Sequence, residues 1–184
     1  MLTIPSAPPP VNLHAVEAQV IDYLRDHRFS VPDGLTLVTT PAFAKIADGP
    51  FHGATPIAEA MPGTIVVDQD LQTFDRVDVA RILLHETLHE TPTGGAFTFT
   101  TLTPHTFTLN EAATDAMTQQ ILKGLLRRLH LPLGTAGSDP TYPTLVTRVR
   151  LAAARACGCP WWSQAGKDWV GRYFLTMPDQ RGDV

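Results

Sequence analysis

The chain has 184 residues, 43% of them hydrophobic, a formal net charge of −4 and two cysteines. That length and apolar fraction suit one domain with a real core. No apolar run reaches membrane length, and the Pro-rich N-terminus, without a basic residue, does not have the layout of a signal peptide, so a cytoplasmic origin is expected. Cys157 and Cys159 stand two residues apart, too close to bridge comfortably, which excludes a disulfide framework.

Met1 to Pro10 reads as an extended Pro-rich arm, residues 11–176 as a single domain, and 177–184 as a tail. Val11 to His27 carries Val11, Ala15, Ala18, Ile21, Tyr23 and Leu24 among charges, the pattern of an amphipathic helix. Pro32-Asp33-Gly34 marks a turn before a strand over Leu35–Thr39. Phe43 to Met61 is broken by Gly49-Pro50, Gly53 and Pro56 and has room for one short strand. After Pro62-Gly63, Thr64–Asp68 is a strand. A helix follows over Asp75–Glu90, capped by Asp75 or Thr73 and stopped at Thr91-Pro92. Between Thr93 and Thr108, the alternation Phe97-Thr98-Phe99-Thr100 predicts an extended segment or small hairpin. A helix over Leu109–His130 puts Ala113, Met117, Ile121 and Leu125 on one face. Further helices are predicted over Thr144–Ala156 and Ser163–Leu175. Trp161-Trp162 reads as core or interface. The order of elements gives an α+β fold.

Charge is unevenly spread. Residues 1–115 carry 5 basic and 14 acidic side chains, residues 116–184 carry 9 basic and 4 acidic. Lys123, Arg127, Arg128, Arg148, Arg150 and Arg155 fall at helical spacing beside Leu and Ala, as a solvated helix face would. Neither aromatic interleaving nor a nucleic-acid motif accompanies them, so nucleic acid is not the expected partner.

His85-Glu86-Thr87-Leu88-His89 carries the chemistry. Residues four apart share one face of a helix, so the two imidazoles can grip one metal ion, and Glu86 between them is placed to take a proton from water. With 7 His in the chain, a random H-E-x-x-H is expected only about 0.007 times. The bland alternative is a pair of polar histidines on an exposed face. A third ligand is needed, and Asn110-Glu111-Ala112-Ala113-Thr114-Asp115 follows at a spacing that leaves room for a loop and a second helix.

H-E-x-x-H followed by N-E-x-x-x-D resembles the gluzincin metallopeptidases, over about residues 63 to 126. The resemblance implies zinc held by His85, His89 and Glu111, Glu86 as general base, and Asp115 as hydrogen-bond partner of a ligating histidine, His85 in the first place. The compact size is similar to the zincin domain of ImmA/IrrE-type peptidases, which implies a small, mostly antiparallel sheet packed on a metal-binding helix pair with C-terminal helices. The strand Thr64–Asp68 is placed like the sheet edge that pairs with extended peptides in zincins. Peptide-bond hydrolysis of a protein or peptide substrate is the implied activity. His105, His52 and Tyr142 are candidate oxyanion donors by residue type.

Rival readings stay open. Thr108-Leu109-Asn110-Glu111 is also a capping box, which would turn Glu111 back to the backbone. Asp115 could simply be an acid favoured near a helix start. The Pro-rich arm, which no catalytic role requires, fits a structural or assembly component, for example a virion component of a phage, with a zincin fold, little turnover and partners held through the arm. A regulatory zincin that cleaves one partner, such as a repressor, is a third expectation.

Overall fold

The computed structural model describes residues 9–41, 58–91, 104–133 and 143–176, and the side chains of 104–108 are not among those described. The expectations for most of the N-terminal arm, the segment 42–57, the alternation at 97–102 and the tail 177–184 lie outside these residues.

Helix α1 spans Leu13–Asp26, and the Asn12 side chain accepts the Ala15 N–H at 3.1 Å as its cap. Its buried face is Leu13, Val16, Val20, Tyr23 and Leu24. Ala15 and Ala18 are exposed, so the stripe lies one residue over from the one drawn on the sequence. The valines remove more apolar surface from water than alanines would.

Strands β1 (Thr36–Thr40), β2 (Ala58–Met61) and β3 (Thr64–Asp68) form a sheet of order β1-β3-β2. β2 and β3 are joined through Pro62-Gly63, where Gly63 has φ +77°, the left-handed conformation that glycine adopts without steric penalty. β2 pairs with β3 antiparallel, Glu59 opposite Val66, and β1 pairs with β3 parallel, Val38 opposite Val66. The sheet is therefore mixed rather than mostly antiparallel. The chain reverses twice between β1 and β3, which restores the original direction. β3 is bonded on both sides, so the Thr64–Asp68 strand is the centre of the sheet and not its edge. Among the described residues the edge strands are β1 and β2, and β2 is the one packed against the helix Arg76–His89.

A 3₁₀ turn over Gln69–Thr73 leads into α2, Arg76–His89, capped by Asp75, whose carboxylate accepts the Val77 N–H at 2.8 Å. α2 is buried on most of its circumference because α1, β2 and the next helix all pack against it. That next helix, α3, spans Pro104–Arg128. It begins five residues before the start read from the sequence, so the segment expected to stay extended up to Thr108 ends earlier. The reason is Pro104: proline is favoured at the first helical position, where no N–H is needed and φ is already helical. α4, Pro143–Cys157, also opens on proline, and α5, Gln164–Leu175, is capped by Ser163 accepting the Gly166 N–H at 3.2 Å.

α3 is the partition between two cores. Ala113, Met117, Leu122, Leu125 and Leu126 join α1, α2 and the sheet, while Ala112 and Ala116 join Val146, Val149, Ala153 and Val170 of α4 and α5. Tyr23 of α1 donates its hydroxyl to the Ile121 carbonyl at 3.0 Å, and Gly124 lies directly beneath that hydroxyl, where any Cβ would collide with it. Of the basic residues, Lys123, Arg127, Arg128, Arg148 and Arg155 are exposed, and Arg128 pairs with Asp26. Arg150 is half-buried, with its guanidinium 4.2 Å from the Trp161 ring centre. Trp161 packs against the second core, whereas Trp162 is exposed. Both cysteines are free and half-buried. Among the described residues, no helix is long and apolar enough to cross a membrane.

Candidate metal centre

The helical spacing of His85 and His89 puts both imidazoles on one face of α2. Glu111 lies two turns inside α3 and meets them there. The Nε2 atoms of His85 and His89 are 3.1 Å apart, Glu111 Oε2 is 3.3 Å from the first, and Glu111 Oε1 is 3.2 Å from the second. All three side chains are buried. Among the described residues this is the one cluster of histidine and carboxylate that could hold a metal ion.

The triangle is informative in itself. Ligands at about 2.0–2.1 Å from a tetrahedral ion stand about 3.3 Å from one another. Hydrogen bonds are directional and join atoms in pairs, so they give little reason for two imidazole nitrogens and both oxygens of one carboxylate to gather in one place. A cation does. The donor set, two imidazoles and one carboxylate, is a metal-binding set by its own chemistry.

The structure separates the ligand reading of Glu111 from the capping reading. Thr108 and Asn110 lie within α3, which starts at Pro104, so neither caps it and no capping box forms. Burial disfavours the charged form of Glu111, but the adjoining His89 and His85 outweigh it and hold the carboxyl well below the usual carboxylate range.

Glu86 follows His85 on α2 and is half-buried. Burial pushes its carboxyl up, His85 and His89 pull it down, the Glu111 charge pushes it up again, and the Ala60 N–H on edge strand β2 donates to it. Two more acids surround the site that the sequence did not single out. Glu59 on β2 is pushed up to about 7 by burial and by the charges of Glu86 and Glu111. Glu90, next to His89, accepts the Gly63 N–H at 2.8 Å.

The outer partners differ from those expected. On His89, Nδ1 meets the Asn110 amide at 3.3 Å and the Thr114 hydroxyl at 3.5 Å. The Asn110 atom at that distance is Nδ2, a donor; with Nε2 facing a metal and the proton on Nδ1, the amide would turn over to present its oxygen instead. On His85, Nδ1 has no hydrogen-bond partner among the described residues, so the bond expected from Asp115 is not formed. Asp115 is buried one turn beyond Glu111 and its charge acts on Arg150 of α4. The extra helical turn carries its carboxylate past the histidines. Asn110 and Thr114 share the spacing of Glu111 and Asp115, and a helix starting at Pro104 was the missing signal. His52, Tyr142 and the side chain of His105 lie outside the described residues.

No protein-family model, curated protein or solved structure matches this chain.

Proposed function

We propose that this chain is a zinc-dependent metallopeptidase. The observation that carries the reading is the triangle of 3.1, 3.2 and 3.3 Å among His85, His89 and Glu111, with a carboxylate, Glu86, beside it. Two imidazoles and a carboxylate also serve Fe(II) in oxygenases. Glu86 favours hydrolysis, because a base next to the ligand pair has a task in hydrolysis and none in oxygen activation.

His85, His89 and Glu111 would hold the ion. The chemistry that zinc supplies when bound is Lewis acidity toward a scissile carbonyl and acidification of water. Glu86 takes the proton of the attacking water and returns it to the leaving nitrogen. Its raised affinity for a proton, caused by burial, suits both halves of that task. Asn110 and Thr114 orient the His89 ring through Nδ1. β2 is a sheet edge beside Glu86, and its outer backbone groups other than the Ala60 N–H, which Glu86 holds, would pair with an extended substrate.

The test has two parts: metal analysis of the purified chain, and digestion of a peptide library read by mass spectrometry, with Glu86→Gln alongside. One zinc per chain and cleavage that falls by roughly 10²–10⁴-fold in the variant support the proposal. Stoichiometric zinc with no cleavage of any peptide replaces it with the assembly reading. Stoichiometric iron in place of zinc overturns both the metal and the reaction.

A further inference from the structure

We propose that Cys157 and Cys159 form a reversible disulfide by exchange with a low-molecular-weight disulfide, with oxidised glutathione as the probe. The pair lies at the junction of α4 and α5 and uses none of the residues of the metal centre, so the inference goes beyond the peptidase reading and does not depend on it.

Two cysteines with one residue between them stand too close in sequence to bridge comfortably, because an extended residue holds its neighbours' α-carbons about 7 Å apart. The backbone removes that objection. Cys157 is the last residue of α4, and Gly158 turns the chain with φ +61°. A residue in the left-handed helical region leaves the flanking α-carbons only about 5.4 Å apart. Cysteines bridge over a window of roughly 4.4–6.8 Å. Direction agrees with distance. Cys157 Sγ donates to the Ala165 carbonyl at 3.4 Å, and Cys159 Sγ lies 3.1 Å from Ser163 Oγ. Ser163 caps α5 and Ala165 belongs to its first turn, so both sulfurs face the same turn. A helix stop accounts for the glycine. It does not account for a thiol on either side of it. Both cysteines are free and half-buried, so neither is sealed from solvent.

The Cys157 sulfur, whose contact with Ala165 is exposed, attacks first. As a thiolate, its proton given to water, it displaces one glutathione thiolate and keeps the other glutathione as a mixed disulfide. The Cys159 thiolate, in the partly buried position, then attacks the Cys157 sulfur. That forms the internal bond and releases the second glutathione thiolate. Two electrons pass from the protein pair to the glutathione disulfide, and each released thiolate takes up a proton. The ring that closes is small, and strained or accessible disulfides are readily reduced. The pair is therefore a switch and not a staple. Closure removes the thiol hydrogen that the Ala165 carbonyl accepts, so oxidation acts on the first turn of α5.

The test holds the full chain in a glutathione buffer of fixed oxidised-to-reduced ratio, traps free thiols with a maleimide, and weighs the intact protein and its peptides. The expected product is a chain lighter by two hydrogen atoms, with neither cysteine trapped, that returns to the dithiol in excess reduced glutathione. In the folded chain the ratio of this closed form to the mixed disulfide should exceed that of the same chain in denaturant by on the order of 10-fold or more, because the fold holds both sulfurs on one side. Cys159→Ser cannot close and should stop with glutathione on Cys157. Disulfide-linked dimers, glutathione on both cysteines of one chain, or two thiols that stay free overturn the proposal. So does an equal ratio in folded and denatured chain, and that comparison needs no variant to fold. Uptake of glutathione by Cys157→Ser but not by Cys159→Ser overturns the order of attack.

Discussion

The backbone N–H of Gly63 donates to the carboxylate of Glu90 at 2.8 Å. Gly63 sits in the turn between β2 and β3, and Glu90 is the residue that ends the metal helix. One hydrogen bond therefore fixes the sheet edge relative to His89. Because the acceptor is a carboxylate, the bond is stronger than a neutral one, and it offsets part of the penalty of hiding Glu90 from water.

Replacing Glu90 by alanine should lower stability by about 1–3 kcal/mol, through loss of that acceptor and exposure of an unpaired N–H. Denaturant unfolding of Glu90→Ala against the native chain measures it. An unchanged midpoint would show that the turn holds β2 in place without Glu90.

The three ligands should not be equivalent to their neighbours. Glu111→Ala and His89→Ala should each weaken the metal by more than the roughly 10–100-fold attached to removing an outer partner. Competition against a chelator of known affinity reads this directly. Undiminished affinity in Glu111→Ala would remove that residue from the metal.

Asn110 and Thr114 should act on metal affinity, and Asp115 on stability. Asn110→Ala is expected to weaken metal binding about 10-fold, with a smaller loss for Thr114→Val, whose contact with His89 is longer. Asp115→Asn should leave the metal nearly unaffected and lower stability, because the buried Asp115 charge acts on Arg150. Chelator competition and unfolding on the same three variants decide the assignment. A large affinity loss in Asp115→Asn would restore it as partner of His85.

Glu59 gives a pH signature in the metal-free protein. Its carboxyl titrates at about 7 in the folded chain against 4.5 ordinarily. A carboxyl raised on folding holds its proton more tightly in the native state. Its contribution is therefore complete below the unfolded value and is lost as pH rises from about 4.5 through about 7. Glu59→Gln cannot ionise and escapes that loss. It should exceed the native chain by on the order of 1–3 kcal/mol at pH 8 and match it near pH 4. Thermal melting across that range is the measurement, and equal melting temperatures at pH 8 would contradict the burial of a charge there.

How much of this was legible in the sequence depends on the length of each signal. The metal helix, its Asp75 cap and the strand Thr64–Asp68 could be read closely, because a long periodic run with a capping residue is fixed by local preferences. His85, Glu86 and His89 could be read for the same reason: their geometry follows from one helix. Strand direction in the sheet could not, since pairing partners are set by tertiary contacts. The start of α3 was misplaced because threonine and phenylalanine alternation masked the Pro104 signal. That error also kept the capping-box rival for Glu111 alive and hid Asn110. Glu59 sits in a four-residue strand beyond a stretch broken by glycine and proline, too short a run to carry a period of its own.

α3 carries Glu111 on the same length of backbone that divides the two cores, which would make a metal bound there a reversible cross-link. An ion shared by His89 and Glu111 closes a loop of about 22 residues, and closing a loop of that size removes roughly 3 kcal/mol of freedom from the unfolded chain, as a disulfide would. The chain has two free thiols and no such bridge among its described residues. A bridge made of metal is set by the supply of the ion rather than by the redox state of the surroundings. If the cluster holds an ion, its loss would remove that link between α2 and α3 and leave their apolar packing to hold them together.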